Sequence, residues 1–187
     1  MPQARIVGIA GSLRKGSYNR ALLRAAIECA PEGMTLEELP IDDVPLYNAD
    51  IDIDGSRPVA VERLKERIRA ADGVLLVSPE YSHGVPGVLK NALDWASRKG
   101  NGKGSPMVGK PVGIIGASTG GSGTMRGQEQ LKLVVAGMLM ALFPHGGVVV
   151  PRAGDRFDDQ LRLSDDKTRE FLGKYLDGLL GWVRRFE

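Results

Sequence analysis

The sequence predicts a doubly wound α/β domain, a three-layer sandwich in which helices cover both faces of a five-stranded parallel sheet of order 2-1-3-4-5. Three observations predict it. Short apolar runs alternate with helical patterns about five times along the 187 residues, as strand–helix–strand units with right-handed crossovers do. Two of the runs, Gly73-Val74-Leu75-Leu76-Val77-Ser78 and Val112-Gly113-Ile114-Ile115-Gly116-Ala117, are almost continuously apolar, the mark of strands covered on both faces. The first, third and fourth runs lead into loops of small and hydroxyl-bearing residues. In that strand order these three strands are neighbours, so their loops meet in one crevice.

Ile6-Val7-Gly8-Ile9-Ala10 reads as the first strand. Leu22, Leu23, Ala26, Ile27 and Ala30 follow at helical spacing until Pro31 and Gly33 stop the pattern. Cys29, the single cysteine, falls on this helix as a buried thiol, and no intramolecular disulfide is possible. Residues 34–39 form a second strand, placed at an edge because Glu37 and Glu38 interrupt it. Residues 40–58 have no periodic pattern. Within them Asp50-Ile51-Asp52-Ile53-Asp54-Gly55 imitates the opening of a calcium loop, but the twelfth position is Val61 and Glu62 comes one place late. The stretch therefore reads as a solvated acidic loop.

Val61, Leu64, Ile68 and Ala71 mark the next helix, with Glu62, Arg63, Lys65, Glu66 and Arg67 as its charged solvent face. After the third strand, Pro86 opens a helix through Val88, Leu89, Ala92, Leu93 and Trp95. Residues 98–109 are glycine-rich and basic, and predict a mobile linker. Residues 128–143 predict a helix that is almost wholly apolar from Leu133 onward. A helix without a polar stripe is covered on both sides, which predicts a subunit interface and a homo-oligomer. Residues 146–150 form the fifth strand, and Leu172, Tyr175, Leu176, Leu179, Leu180 and Val183 the last amphipathic helix.

The length suits a single domain over residues 1–187. A net charge of +2 argues against a nucleic-acid binder. No apolar run approaches the ~18 residues that a membrane span needs, and residues 1–5 lack the apolar core of a signal peptide. A cytoplasmic protein is expected.

The chemistry lies in the three loops. Gly11-Ser12-Leu13-Arg14-Lys15-Gly16-Ser17-Tyr18-Asn19 joins a buried strand to a helix start, where backbone N–H groups and the helix dipole attract an anion. Its spacing fits neither a Walker A loop nor a dinucleotide fingerprint. No cysteine stands in it to make a phosphatase. Hydroxyls and an amide with few glycines suit a terminal phosphomonoester. Pro79-Glu80-Tyr81-Ser82-His83-Gly84 follows the third strand with planar side chains on a stiffened loop, and Ser118-Thr119-Gly120-Gly121 follows the fourth. A phosphate cradle beside two loops able to flank a flat ring describes a mononucleotide site, with FMN as the candidate. His83 and His145 are the only histidines, which speaks against a metal site.

Over about residues 4 to 182 the sequence resembles the NADPH-dependent FMN reductase family, with its quinone-, chromate- and azo-dye-reducing members. Gly11-Ser12-Leu13-Arg14-Lys15-Gly16-Ser17-x-Asn19 is similar to the family's phosphate loop. The long motif from Pro79-Glu80-Tyr81-Ser82 through Lys90-Asn91-Ala92-Leu93-Asp94-Trp95 is similar to its isoalloxazine loop and dimer-interface helix. Pro45-Leu46-Tyr47-Asn48 and Lys110-Pro111 also match. The resemblance implies a flavodoxin-like fold. It implies that Ser12, Arg14, Ser17 and Asn19 hold the FMN phosphate, with Tyr18 also among the cofactor-binding residues, that Pro79, Glu80, Tyr81, Ser82, His83 and Gly84 line the ring, and that Ser118, Thr119, Gly120 and Gly121 line its other side. Ser82 stands where many relatives carry Asn, and the loop at 98–105 is longer and more basic than is usual.

The resemblance further implies ping-pong chemistry in one site. NADPH or NADH reduces the flavin and leaves, and a small-molecule acceptor (quinone, free flavin, azo compound or metal oxyanion such as chromate) then takes the electrons. The flavin carries the reaction, so no side chain is assigned as catalytic. A homodimer or homotetramer is implied as well. Two other classes share the loops: a non-enzymatic flavodoxin-like electron carrier, which the small positive charge disfavours, and an FMN-binding regulatory protein.

Overall fold

A computed structural model describes residues 3–100 and 102–186; Met1 and Pro2 of the leading segment, Asn101 of the basic loop and Glu187 lie outside them. The elements are β1 (Ala4–Ala10), α1 (Tyr18–Glu28), β2 (Met34–Glu38), α2 (Val59–Ala70), β3 (Gly73–Val77), α3 (Gly87–Ser97), β4 (Pro111–Ala117), α4 (Met125–Gly137), β5 (Ala141–Leu142), β6 (Val148–Val150) and α5 (Asp166–Val183). The sheet runs β2-β1-β3-β4-β5 and is parallel throughout, with β6 also paired to β4. β2 is an edge strand, while β3 and β4 are buried along their whole length. Two cores follow from the two faces. α1 and α5 pack on one through Leu22, Leu23, Leu172, Leu176 and Leu179. α2, α3 and α4 pack on the other through Leu64, Ile68, Leu89, Trp95 and Leu131.

The largest departure from the sequence reading lies after α4. The helix stops at Gly137, and Leu139 takes a left-handed φ of 58°. The apolar residues that follow then enter the sheet as β5 instead of extending the helix to Phe143. β5 pairs with the start of β4 and β6 with its end, so the fifth position of the sheet is one strand interrupted at Pro144-His145-Gly146-Gly147. The apolar run is explained by burial of Val135 and Met140 in the core, and the argument for an interface from an all-apolar helix loses its basis. Leu133, 75% exposed, and Leu139 still face outward.

Four smaller expectations change too. Cys29 is the C-terminal cap of α1 and only half-buried. Lys65 is buried inside α2's nominal solvent face, and its Nζ has no hydrogen-bond partner; burial lowers its pKa. The acidic loop is not simply solvated. Asp52 sits between Arg57 at 2.5 Å and Arg98 at 2.6 Å, with both partners' ends of the Asp52–Arg57 pair nearly enclosed. Burial pushes the Asp52 carboxyl up, but the hydrogen bonds from the two guanidinium groups outweigh this and hold it below the ordinary carboxylate range. Its oxygens are therefore spent on cations within the chain, and among the described residues no cluster of His, Cys, Asp or Glu could hold a metal ion. The basic linker, finally, is tethered. Arg57 donates to Lys99 O at 2.8 Å, Gly100 and Lys103 form a bridge, and Met107 is fully buried.

Candidate active site

The loops after β1, β3 and β4 meet at the carboxyl edge of the sheet, as the strand order requires. They enclose a cavity of about 270 Å³ lined by Ser12, Arg14, Ser17, Tyr18, Asn19, Pro79, Glu80, Tyr81, Ala117, Ser118 and Thr119.

The first loop leaves β1 at Gly11, whose N–H bonds to Val77 O at 2.8 Å. A Cβ at Gly11 would lie 3.1 Å from Leu89 and 3.3 Å from Pro79, so glycine lets the loop press against α3 and the second loop. Ser17 then caps α1: its Oγ accepts from the N–H groups of Asn19 and Arg20 at 3.2 and 3.3 Å. Between Gly11 and Ser17 no backbone N–H finds a partner among the described residues. These donors lie ahead of a helix N-terminus and beside the guanidinium of Arg14, in a loop where Ser12 and Ser17 are buried. That donor set matches a phosphate monoester in charge and hydrogen-bonding capacity.

Asn19 lines the same cavity, but its amide faces the sheet. Nδ2 donates to Ala117 O at 2.8 Å, and the Ala117 N–H donates to Oδ1 at 2.9 Å. Tyr18 packs its ring on Phe157 at 5.4 Å. Tyr81 reaches back from the second loop, its hydroxyl 3.2 Å from Ser12 Oγ, with the ring about half exposed.

The second loop is a tight turn. Tyr81 and Gly84 exchange backbone hydrogen bonds of 3.2 and 2.9 Å, and Ser82 and His83 between them have φ of 49° and 65°. The turn is anchored to the start of α4. Thr124 makes no side-chain cap there; Glu80 reaches over instead, and its Oε2 accepts from Gly127 N at 2.8 Å. Gln130 donates to His83 O, and Arg126 Nη1 lies 2.6 Å from His83 Nδ1.

The structure thus brings Ser12, Arg14, Ser17, Tyr18, Asn19, Pro79, Glu80, Tyr81, Ser118 and Thr119 to one cavity, and leaves Ser82, His83, Gly84, Gly120 and Gly121 outside its lining. Sequence reasoning missed Ala117, whose contribution is backbone at a strand end. It also missed the contacts of Arg126, Gly127 and Gln130 with the second loop, which the periodicity of a helix start does not reveal.

Residues 4–155 match the model of the NADPH-dependent FMN reductase family. The chain belongs to that family. As a member it is an FMN-dependent NAD(P)H oxidoreductase. The chain is 46% identical over 181 residues to an NAD(P)H-dependent FMN reductase of Pseudomonas aeruginosa, covering 97% of this chain and 96% of the relative. It is 37% identical over 180 residues to a 2-hydroxy-1,4-benzoquinone reductase of a Burkholderia species, covering 96% of each. Among solved structures it is similar to a flavoenzyme NAD(P)H:acceptor oxidoreductase of Paracoccus denitrificans, with a TM-score of 0.86 and 32% identity over 97% of this chain and 98% of that one. The flavodoxin-like fold accords with these relatives, and among the described residues no helix is long and apolar enough to cross a membrane.

Proposed function

We propose that this reductase passes electrons from NAD(P)H to a quinone, with FMN seated in the cavity between the three loops. The observation that carries the reading is the row of unpartnered N–H groups between Gly11 and Ser17, next to Ser12, Arg14 and Ser17. These groups hold the phosphate. Tyr81 and the Pro79–Glu80 backbone bound one side of the ring, and Ser118 and Thr119 the other. Gly84, Gly120 and Gly121, with Ser82 and His83, shape the turns that carry those side chains. FMN when bound supplies the hydride chemistry, taken from NAD(P)H and given to the acceptor in alternate half-reactions. The quinone preference is supported by relatives named for quinone reduction.

The same reading includes a homo-oligomer. Leu46, Val59 and Leu133, apolar side chains with most of their surface exposed, are surface that such an assembly covers.

The test is the visible spectrum of the protein with FMN under anaerobic conditions. NADPH should bleach the bound flavin, and 1,4-benzoquinone should restore it. Arg14→Ala should weaken FMN binding by about tenfold, the worth of one charge-assisted hydrogen bond. A protein that neither binds FMN nor oxidises NADPH in its presence, or one in which Arg14→Ala leaves FMN affinity unchanged, refutes this use of the cavity.

A further inference from the structure

A second, larger cavity opens at the other end of the sheet. It measures about 470 Å³ and lies at the amino edge, where β1, β3 and β4 begin and the C-terminal ends of α2 and α5 come together. None of its lining residues belongs to the three loops of the candidate active site. Its walls combine apolar and cationic side chains: Val108, Pro111, Val183 and Phe186 stand with Arg5, Arg69 and Lys110, and among the described residues Asp72 is the one carboxylate in the lining.

Each cation has a contact within the chain, but among the described residues the cations outnumber the carboxylates that meet them. Asp72 is already engaged, since its Oδ2 accepts from the N–H of Arg5 at 2.8 Å and lies 3.8 Å from Arg5 Nε. Lys110 extends its ammonium to the carbonyls of Ala71 and Arg69 at the end of α2, which neutralises the helix terminus and fixes the cation in the cavity wall. Burial lowers its pKa; Asp72 opposes that shift, and Arg69 and Arg5 add to it. Arg69 has Glu66 Oε1 at 3.6 Å from Nε and Gly104 O at 3.4 Å from Nη1, yet the buried Nε makes no hydrogen bond. Meanwhile Val108 is 58% exposed and Phe186 49% exposed.

Among the described residues three cations face two carboxylates, Asp72 in the wall and Glu66 behind Arg69, which leaves an excess of positive charge at close range. Apolar walls with a few convergent polar groups, in a volume of several hundred Å³, are what small-molecule sites are made of. From this arrangement we propose that the amino-edge cavity is a second ligand site, selective for an organic anion with a flat apolar body, of the aryl carboxylate class. The carboxylate sits among Arg5, Lys110 and Arg69, and the ring lies against Val108 and Phe186. It needs no FMN and does not depend on the function proposed for the other edge.

The chain has two tryptophans, so a ¹H–¹⁵N spectrum shows two indole signals. Trp182 contacts Phe186 edge-on at 5.3 Å and donates to Ala141 O. Trp95 donates to Pro45 O on the opposite face of the sheet. The experiment titrates FMN-saturated and FMN-free protein with 2-naphthoate, with the neutral 2-naphthamide as control and Trp182→Phe to assign the signals. The expected result is a saturable shift of the Trp182 signal alone, with the same midpoint with and without FMN. Arg5→Gln should weaken it by about fivefold, the worth of one exposed charge pair. Val108→Asp, which sets a negative charge at the rim, should weaken it by more. An absent or non-saturating shift overturns the proposal, as does equal binding of the amide, or a midpoint that Val108→Asp leaves unchanged while the Trp95 signal shows the fold intact.

Discussion

Asn19 and Ala117, 98 residues apart, exchange two hydrogen bonds of 2.8 and 2.9 Å in which the side-chain amide of one imitates a strand neighbour for the backbone of the other. The contact joins the start of α1 to the last residue of β4, and so fixes the first loop against the third. Asn19 is 3% exposed and Ala117 equally buried, so water cannot replace either bond. Asn19→Leu should leave a buried N–H and a buried C=O unsatisfied and lower stability by about 2–4 kcal/mol. Urea denaturation measures this. A loss below about 1 kcal/mol would show that the pair is not what holds the loops together.

Glu80 couples the second loop to α4 by capping Gly127. The packing there is tight: a Cβ on Gly127 would lie 3.3 Å from Glu80 Cβ and Cγ and from Gly84 O. Gly127→Ala should therefore push the Pro79–Gly84 turn outward and weaken FMN binding, although alanine favours the helix itself by about 1 kcal/mol. Glu80→Ala should cost about 1 kcal/mol through the lost cap. Flavin fluorescence titration beside a thermal melt separates the two effects. Unchanged FMN affinity in Gly127→Ala would mean that the turn is not positioned by α4.

Ser82 and His83 occupy the two left-handed positions of a two-residue hairpin turn, where asparagine and glycine are the usual occupants. Ser82→Asn keeps the side chain polar, lengthens it by an amide, and suits the backbone better. It should raise stability by about 0.5–1 kcal/mol. A variant no more stable than the parent would show that the turn carries no strain at this position.

The contrast between what periodicity could and could not reveal follows from these contacts. Strand order was legible because buried parallel strands must be apolar on both faces, and β1, β3 and β4 are. The convergence of Ser12, Tyr81 and Ser118 on one cavity was legible for the same reason, since order fixes which loops are neighbours. The split of the run from Leu133 to Phe143 was not, because a buried helix and a short buried strand share the same apolar composition. The choice between them rests on the left-handed turn at Leu139, a residue whose type does not announce it. Nor was the bonding of Asn19 legible: a buried amide at a helix start can face a ligand or a neighbouring strand, and only the distance to Ala117 decides. The burial of Lys65 was not legible either, because helical spacing assigns it to the charged face that it shares with Glu62, Arg63, Glu66 and Arg67.

Asp165 offers a test by pH. It caps α5, its Oδ2 accepting from Thr168 N at 2.8 Å and Thr168 Oγ1 at 2.6 Å, while Arg156 reaches Oδ1 at 2.7 Å. The hydrogen bonds from the Thr168 hydroxyl and N–H, with the Arg156 guanidinium behind them, lower its carboxyl from 3.8 to about 2. A carboxyl lowered by folding stabilises the folded state above the unfolded value, and that contribution fades as pH falls through the folded one. Asp165→Ala should thus melt below the parent at pH 7, and the gap should hold down to about pH 4 and narrow toward pH 2. Other carboxylates titrate alike in both proteins, so the difference in melting temperature isolates this residue. A gap that stays constant to the lowest pH at which both proteins fold would mean that the cap works without its charge, through hydrogen bonds that a protonated Asp165 still accepts.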